Sequence, residues 1–268
     1  MKMTKIAFIG TGNMASAIVN GVIKSNIVSE NQIILFDKNS EQYKRFPSKC
    51  NTANSVQEIC EFANYIFLSV KPQNIKEILC ELKDADINNK VFVSICAGIT
   101  IESIEKELKG TKIIRTMPNT PLLIGQGVTA LCRNDAVTDE EFAFVTSLFA
   151  SSGYTAELKE SEINAITAVT SSSPAYIYYF IKSMLDGAKK LGLDGDNLLE
   201  MICRTFIGAS NMVLSDSRSV DELIRMVKSP NGTTEKALNV FEDECVSEII
   251  EKAMKACADR ADELSKLN

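Results

Sequence analysis

Two short loops, one near each end of the chain, combine small residues with hydroxyl groups in patterns that can bind anions. The later loop is Ser229-Pro230-Asn231-Gly232-Thr233-Thr234, and a helical pattern follows it. Backbone amides at a helix N-terminus attract negative charge, and nearby hydroxyl groups add hydrogen bonds. This loop therefore predicts a site for a small carboxylated substrate.

The earlier loop, Gly10-Thr11-Gly12-Asn13-Met14-Ala15, follows a short apolar strand and precedes a helical pattern. In such a G-x-G-x-x-A sequence the first glycine permits a tight turn, the second lets the backbone approach a pyrophosphate, and the final small residue permits close helix packing. The pattern predicts a dinucleotide site, and a turn that needs small residues only for packing is the alternative. The predicted cofactor contacts here are Gly10, Thr11, Gly12, Asn13 and Met14.

Asp37 and Lys38 follow the second predicted strand, where the adenosine ribose of a dinucleotide would lie. A carboxylate there accepts hydrogen bonds from the ribose and favours NAD, because it repels a 2′-phosphate. Lys38 could instead pair with that phosphate, so the choice between NADPH and NADH stays open. Both residues are predicted cofactor contacts, and a solvated strand end is the alternative.

Three further predicted strands end in loops that would meet at the carboxyl edge of the sheet, where ligands bind in doubly wound folds. They continue into Val70-Lys71-Pro72, Ser94 to Gly98, and Met117-Pro118-Asn119-Thr120-Pro121. We predict that these loops surround the nicotinamide end of the cofactor. A surface lysine before a helix and a rigid turn without a ligand are the alternatives. The predicted contacts are Val70, Lys71, Pro72, Ala97 and Asn119.

The chain of 268 residues contains no histidine. Ser-His-Asp and Cys-His hydrolases, H-E-x-x-H zinc enzymes and His-assisted 2-hydroxy-acid dehydrogenases are therefore excluded. Any reaction at the two loops must proceed without an imidazole base.

Composition limits the partners and the compartment. Hydrophobic side chains make up 45% of the chain, and its net charge of -6 disfavours nucleic acid or an anionic membrane as a partner. The eight cysteines show no C-x-x-C spacing, and no secretion-signal pattern precedes the first strand. We therefore expect reduced thiols, no metal site and a cytoplasmic location. No apolar run approaches the roughly 18 residues of a membrane span.

The elements that position these loops follow from the spacing of apolar residues. Up to about residue 159, short apolar runs alternate with helix-length segments, as is typical of buried parallel strands. The predicted strands are 5–9, 33–36, 65–70, 91–95, 112–115, 127–131 and 154–158, and later helices are predicted at 161–171, 174–191, 197–215 and from 234 to the C-terminus. The predicted fold is α/β, with a Rossmann-like doubly wound sheet over residues 1–159 that binds the dinucleotide. An all-helical domain over residues 160–268 would serve dimerisation and substrate binding.

Residues 175–181 are apolar nearly all round the helix that they would form. Such a segment in a helical domain of roughly 100 residues is buried on several sides, often across a subunit interface. We expect a homo-oligomer of at least two chains, and burial within one chain is the other physical explanation.

Taken in order, these motifs resemble those of the pyrroline-5-carboxylate reductase family, whose members reduce a cyclic imine with NAD(P)H to make proline. The matching segments cover nearly the whole chain and are Gly10 to Ala15, Val70-Lys71-Pro72, Met117 to Pro121, Ser172-Ser173-Pro174-Ala175-Tyr176 and Ser229 to Thr234. The last segment is the signature loop of the family. The resemblance implies a Rossmann-like N-terminal domain, a helical C-terminal domain that dimerises by interleaving helices, and an active site at their junction.

The resemblance also implies roles for the signature loop, with backbone amides on the substrate carboxylate and Thr234 near the ring nitrogen. Asn231 replaces the first glycine of the usual Ser-Pro-Gly-Gly-Thr-Thr, and Ser171 stands where a glycine is common. Asn tolerates left-handed backbone best after Gly, so the loop conformation can survive. The predicted substrate contacts are Ser229, Gly232, Thr233 and Thr234.

Reduction of a C=N bond is compatible with the absence of histidine. A cyclic imine can bind as its iminium, already activated by positive charge, so the enzyme needs mainly orientation and a hydrogen-bond partner at nitrogen. We hypothesise that the Thr234 hydroxyl is this partner or relays a proton from water, which makes Thr234 the predicted catalytic residue. The expected reaction is hydride transfer from NADPH or NADH to 1-pyrroline-5-carboxylate, giving L-proline in the last step of proline biosynthesis.

Two other functions fit parts of the pattern. A β-hydroxyacid dehydrogenase has a similar domain order but relies on a lysine in a helix of the second domain. Here the helix after Ser173-Pro174 presents Ile177-Tyr178-Tyr179, and no lysine stands three residues after Asn211. A non-catalytic dinucleotide-binding regulator is the second alternative, which the intact Thr233-Thr234 pair disfavours.

Overall fold

The computed structural model describes residues 4–267. Residues 1–3 and 268, at the outer ends of the two predicted domains, lie outside the described residues. The described chain contains an eight-stranded sheet in the order β3-β2-β1-β4-β5-β6-β7-β8. Neighbouring strands are parallel except for the antiparallel pair β6 and β7. The strands are β1 (Ile6–Ile9), β2 (Ile33–Phe36), β3 (Asn51–Thr52), β4 (Tyr65–Leu68), β5 (Val91–Ser94), β6 (Lys112–Pro118), β7 (Gly127–Arg133) and β8 (Gly153–Glu157).

This topology confirms the predicted doubly wound sheet, with the order of the strands reversing between β1 and β4. All the predicted strands form, with small differences at their ends. The two-residue strand β3 was not predicted, because both of its residues are exposed and carry no apolar pattern.

Both faces of the sheet are covered by helices. Along β1, Phe8 belongs to a core with α1 and α5, and its ring stacks on that of Phe67 with centroids 4.5 Å apart. The alternate residue Ile9 belongs to the opposite core with α2, α3 and α4. Continuous apolar strands are therefore buried on both sides, as a parallel sheet requires. The helices of this part are α1 (Asn13–Lys24), α2 (Val56–Phe62), α3 (Ile75–Lys83), α4 (Ile101–Glu107), α5 (Asp139–Ala150) and α6 (Glu160–Ile166).

The rest of the chain is helical. A π-helical turn, Thr167–Ser171, follows α6 where a continuous helix over 161–171 was predicted. The predicted helix from residue 234 to the C-terminus is also wrong in one respect. It is broken at Cys245, whose φ of 51° is left-handed and cannot continue an α-helix. The helices are α7 (Ser173–Lys190), α8 (Leu198–Ser215), α9 (Val220–Val227), α10 (Thr233–Asp243) and α11 (Val246–Leu267), and no helix in the described part of the chain is both long and apolar enough to cross a membrane.

The chain divides into two compact units, one containing the residues up to Ser172 together with those from Cys257 onward, and the other containing Ser173–Ala256. The predicted domain boundary between residues 159 and 160 stays a prediction.

A chain of polar contacts holds the end of α11 in the first unit. The guanidinium of Arg115, on β6, is buried and donates from Nη1 to Glu160 Oε1 at 3.2 Å and from Nη2 to Asn164 Oδ1 at 2.8 Å. Asn164 Nδ2 donates in turn to Asp262 Oδ1 at 2.8 Å. A buried charge needs such partners, so this network links β6, α6 and α11.

Candidate active site

The turn between β1 and α1 depends on Gly10. Its φ of 93° is strained for any residue with a side chain. Its amide donates to Phe36 O at 2.8 Å, and a Cβ built on it would lie 2.6 Å from the carbonyl oxygen of Ser69. The Ser69 hydroxyl also donates to Gly10 O at 2.7 Å. The ends of β1, β2 and β4 therefore meet at a residue that must be glycine.

Gly12 has a different role, because it is the N-cap of α1 and its φ of -73° is ordinary. A Cβ on Gly12 would meet no described atom within 4 Å. Within the described residues no side chain caps α1, and its first turn holds no acidic residue. The amides of this turn that lack helical partners are therefore available to a phosphate group.

Asp37 is bonded to the glycine loop. Its Oδ2 accepts hydrogen bonds from the backbone N–H and the hydroxyl of Thr11, at 2.7 and 2.8 Å, and its Oδ1 accepts from Asn39 N at 2.9 Å. Thr11 is completely buried. The carboxylate therefore stabilises the loop itself, while its contact with a ribose stays a prediction.

A cleft of about 410 Å³ lies along these residues, at the carboxyl ends of β1, β2 and β4. This is the point where the strand order reverses, the usual ligand position in doubly wound folds. The lining residues are Ile9, Gly10, Thr11, Gly12, Phe36, Asp37, Lys38, Gln42, Ser69, Val70, Lys71, Gln73, Asn74 and Ile78. The predicted residues Asn13, Met14, Pro72, Ala97 and Asn119 do not line it.

Two cations lie just after β2. Lys38 Nζ is 2.5 Å from Glu77 Oε1, and Arg45 Nη1 donates to Asn13 Oδ1 at 2.5 Å. Arg45 was not predicted, because it lies nine residues beyond the end of β2 in a 3-10 segment, Ser40–Arg45, that carries no motif. Lys38 is thus ion-paired with Glu77, and Arg45 is hydrogen-bonded to the first residue of α1.

Asn119 holds three segments together. Its buried side chain donates from Nδ2 to Thr170 O at 3.0 Å and accepts from Val128 N at 2.8 Å through Oδ1. One amide thus joins the end of β6 to β7 and to the π-helical turn. The predicted contact of Asn119 with the nicotinamide stays a prediction, and the observed bonds are structural.

Ser171, which stands where a glycine is common, takes part in the same joint. Its hydroxyl donates to Pro118 O at 3.3 Å from the last position of the π-helical turn. A glycine could not make this bond. The departure from the usual pattern therefore adds a contact between the turn and the loop after β6.

Cys96 lies in the loop after β5, one residue before Ala97. Burial raises the pKa of its thiol to about 12, and the thiol donates to Leu68 O at 3.3 Å and Val70 O at 3.2 Å. The thiol is therefore protonated near neutral pH and is a poor nucleophile. It fixes the spacing between the ends of β4 and β5.

The Ser229 to Thr234 loop forms a tight turn before α10. Gly232 N donates to Ser229 O at 2.9 Å, and a Cβ on Gly232 would lie 2.9 Å from the same oxygen. Gly232 is the N-cap of α10, and among the described residues no side chain caps this helix. Asn231 adopts a φ of 58°, so Asn does replace Gly at a left-handed position. The four predicted substrate residues thus lie within one turn and the first positions of a helix.

Thr234 also lines a groove of about 330 Å³ in the second unit. The other walls are nearly all apolar, and they come from α8, α9 and α10. Several of these side chains are exposed, among them Val220 at 54% and Val227 at 61%, so the groove is open to solvent in the single chain. The lining residues are Ala209, Met212, Val213, Val220, Leu223, Ile224, Met226, Val227, Thr234 and Leu238.

Two family models match parts of this chain. Residues 160–264 match pyrroline-5-carboxylate reductase dimerisation, and residues 5–98 match coenzyme F420-dependent NADP oxidoreductases. The pyrroline-5-carboxylate reductase of Escherichia coli K12 is 35% identical over 267 residues, which cover 98% of this chain and 98% of that protein.

Solved structures agree with the sequence relatives. The pyrroline carboxylate reductase of Plasmodium falciparum, solved with NADP bound, matches with a TM-score of 0.91 and 28% identity over 99% of each chain. A pyrroline-5-carboxylate reductase from Coxiella burnetii matches with a TM-score of 0.88 and 33% identity, over 98% of this chain and 99% of that one.

Proposed function

Because this chain belongs to the pyrroline-5-carboxylate reductase family, we infer that it reduces the C=N bond of 1-pyrroline-5-carboxylate with NADPH or NADH. The product is L-proline, and the reaction is the last step of proline biosynthesis. The observation that carries this conclusion is the similarity to reductases of this activity along nearly the full length of the chain.

The residues of the first unit suit a nicotinamide dinucleotide. Open space at Gly12 and the uncapped first turn of α1 accommodate a pyrophosphate. Arg45 supplies positive charge for a 2′-phosphate, and Lys38 adds to it when the phosphate replaces Glu77 as its partner, in keeping with the NADP found in the Plasmodium structure. When bound, the cofactor supplies the hydride.

The residues of the second unit bind and orient the substrate in this proposal. The amides at the start of α10 donate hydrogen bonds to the substrate carboxylate, and the Thr234 hydroxyl holds or relays the proton at the ring nitrogen. Thr234 lies beside a groove with mostly apolar walls, several of whose side chains are exposed in the single chain.

The enzyme is a homodimer that assembles through its helical region, in agreement with the dimerisation family. On α7, the side chains of Tyr178 and Tyr179 are 60% and 70% exposed in the single chain. Such large aromatic groups are stabilised by burial against a second copy. In this proposal a second copy of the chain covers residues 175–181, which the sequence pattern predicts to be buried on several sides.

We place the enzyme in the cytoplasm. All eight cysteines are free thiols, as a reducing compartment requires.

The function is tested by adding 1-pyrroline-5-carboxylate to purified protein with NADPH or NADH and following loss of the reduced cofactor together with formation of proline. We expect stoichiometric proline formation that depends on both reactants. Binding of NADPH or NADH without its oxidation would instead identify a regulator. Reduction of NAD(P)+ by 3-hydroxy acids, with no activity on pyrroline-5-carboxylate, would identify a dehydrogenase.

Replacing Asp37 with Asn should weaken the binding of NADPH and of NADH equally. The substitution removes a charged acceptor shared by two Thr11 donors, a loss of about 1.5–3 kcal/mol. We therefore expect the KM values for NADPH and NADH to rise together, each by roughly tenfold. Steady-state kinetics with both cofactors checks this result.

Lys38→Ala is the matched control, and it should raise the KM for NADPH while leaving that for NADH unchanged. If Asp37→Asn raised only the KM for NADH, Asp37 would act as a ribose contact rather than as a support of the loop.

A further inference from the structure

We propose that Glu235 is a positioning residue that holds the substrate loop in its binding conformation, and that Lys228 neutralises it there. The proposal rests on the proposed role of the Ser229 to Thr234 loop in binding the substrate. The two residues lie on either side of that loop, directly next to its first and last members.

Glu235 bonds directly to the backbone of the loop. Its Oε2 accepts a hydrogen bond from Asn231 N at 2.7 Å. Asn231 is the residue with left-handed backbone, a conformation that a side chain makes less favourable than glycine would. A charge-assisted bond to that amide favours the native turn over the extended alternatives of Asn. Glu235 therefore supports the position at which this loop departs from the usual glycine.

The same carboxylate lies at the end of α10 where an anionic substrate would bind. An uncompensated negative charge there would repel the substrate carboxylate. Lys228 Nζ lies 3.8 Å from Glu235 Oε1, and both side chains are less than one-third exposed. The pair is neutral in sum, so the amides at the start of the helix keep their attraction for an anion.

Two backbone amides of the loop already have partners within the protein. Glu235 takes up the amide of Asn231, and Gly232 N is bonded to Ser229 O. The substrate carboxylate is therefore left with the amides of the first turn of α10, those of Thr233, Thr234 and Glu235. The Glu235 side chain sets the direction of these donors without touching the substrate.

The chain offers a matched control at another helix. Glu222, in the first turn of α9, accepts from Ser219 N at 2.8 Å in a capping box, and its described side-chain hydrogen bonds are to Ser219 and not to the loop. Glu235→Ala and Glu222→Ala remove the same chemical group from the same kind of local bond. A merely structural role would give both variants the same kinetic constants as the parent enzyme.

The test measures kcat and the KM for 1-pyrroline-5-carboxylate and for NADPH in the full-length enzyme and its variants. We expect Glu235→Ala to raise the KM for pyrroline-5-carboxylate at least fivefold, about 1 kcal/mol, with the KM for NADPH unchanged. Glu235→Gln keeps an acceptor and should stay within twofold of the parent. Lys228→Met leaves the Glu235 carboxylate uncompensated and should also raise the KM for pyrroline-5-carboxylate. Glu222→Ala should change neither the KM for pyrroline-5-carboxylate nor that for NADPH.

An unchanged KM for pyrroline-5-carboxylate in both Glu235→Ala and Lys228→Met would overturn the proposal, as would an equal rise in Glu222→Ala. If Glu235→Ala does not fold, the KM for pyrroline-5-carboxylate of Lys228→Met alone tests the proposal, and an unchanged value would overturn it. Absence of turnover in the parent enzyme would overturn the proposed function instead, so the two failures are distinguishable.

Discussion

Replacing Thr234 with Ala should lower kcat about 100-fold, equivalent to about 2.7 kcal/mol of transition-state stabilisation. The substitution removes the one hydroxyl that we propose beside the ring nitrogen, where the charge on nitrogen changes during reduction. An alanine side chain has no group that can take over this hydrogen bond. Single-turnover and steady-state kinetics with pyrroline-5-carboxylate and NADPH measure the effect.

Thr234→Ser provides the control, because it keeps the hydroxyl and loses only a methyl group; its kcat should stay within a fewfold of the parent value. Ala is well tolerated at the second position of a helix, so the thermal stability of Thr234→Ala should be unchanged. The KM for NADPH should also be unaffected. A kcat equal to that of the parent enzyme would remove Thr234 from the mechanism.

Gly10→Ala and Gly12→Ala should separate folding from cofactor binding, although the two residues are neighbours in one motif. At Gly10 a methyl group meets the Ser69 backbone at 2.6 Å, and φ is 93°. The strain of that conformation and the overpacking together cost about 2–5 kcal/mol. We expect a melting temperature at least about 5 °C below that of the parent protein.

At Gly12 the added methyl group meets no described atom and the backbone is unstrained, so the melting temperature should stay constant. The methyl group instead takes up space where the pyrophosphate approaches. The KM for NADPH should rise at least about tenfold, or 1.4 kcal/mol. Thermal melts with and without NADPH check both variants. Parent-like cofactor affinity in Gly12→Ala would place the pyrophosphate elsewhere.

Much of the first unit could be predicted because its signals are local. Buried parallel strands require continuous apolar runs, and the turn after β1 requires glycine, so both leave a pattern in adjacent residues. Strand β3 leaves none, since it consists of two exposed polar residues that carry no apolar pattern, although both their backbone and the Asn51 side chain bond to β2. The break at Cys245 also lacks a signal, because the sequence on both sides has helical spacing.

The second roles of several predicted residues could not be read from their motifs. Asp37 bonds to Thr11 across 26 positions, and Asn119 bonds to Thr170 across 51. Each motif indicates what a residue can donate or accept, but the partner that it meets depends on how distant segments pack. For the same reason the support given by Glu235 to Asn231 was not anticipated, although only four positions separate them. Its side chain could equally have faced solvent.

By itself, the sequence determined the absence of histidine chemistry, the alternation of strands and helices, and the two loops of small residues that predict sites for a dinucleotide and a small carboxylate. These properties depend on residue types and on periodicity along the chain, which folding does not alter. Only the tertiary structure decided that Asp37 braces the glycine loop, that Asn119 joins three segments, and that Asn231 occupies a left-handed turn bonded to a glutamate. Hydrogen-bond partners are selected by distance and direction in space, and those are set only when the elements pack together.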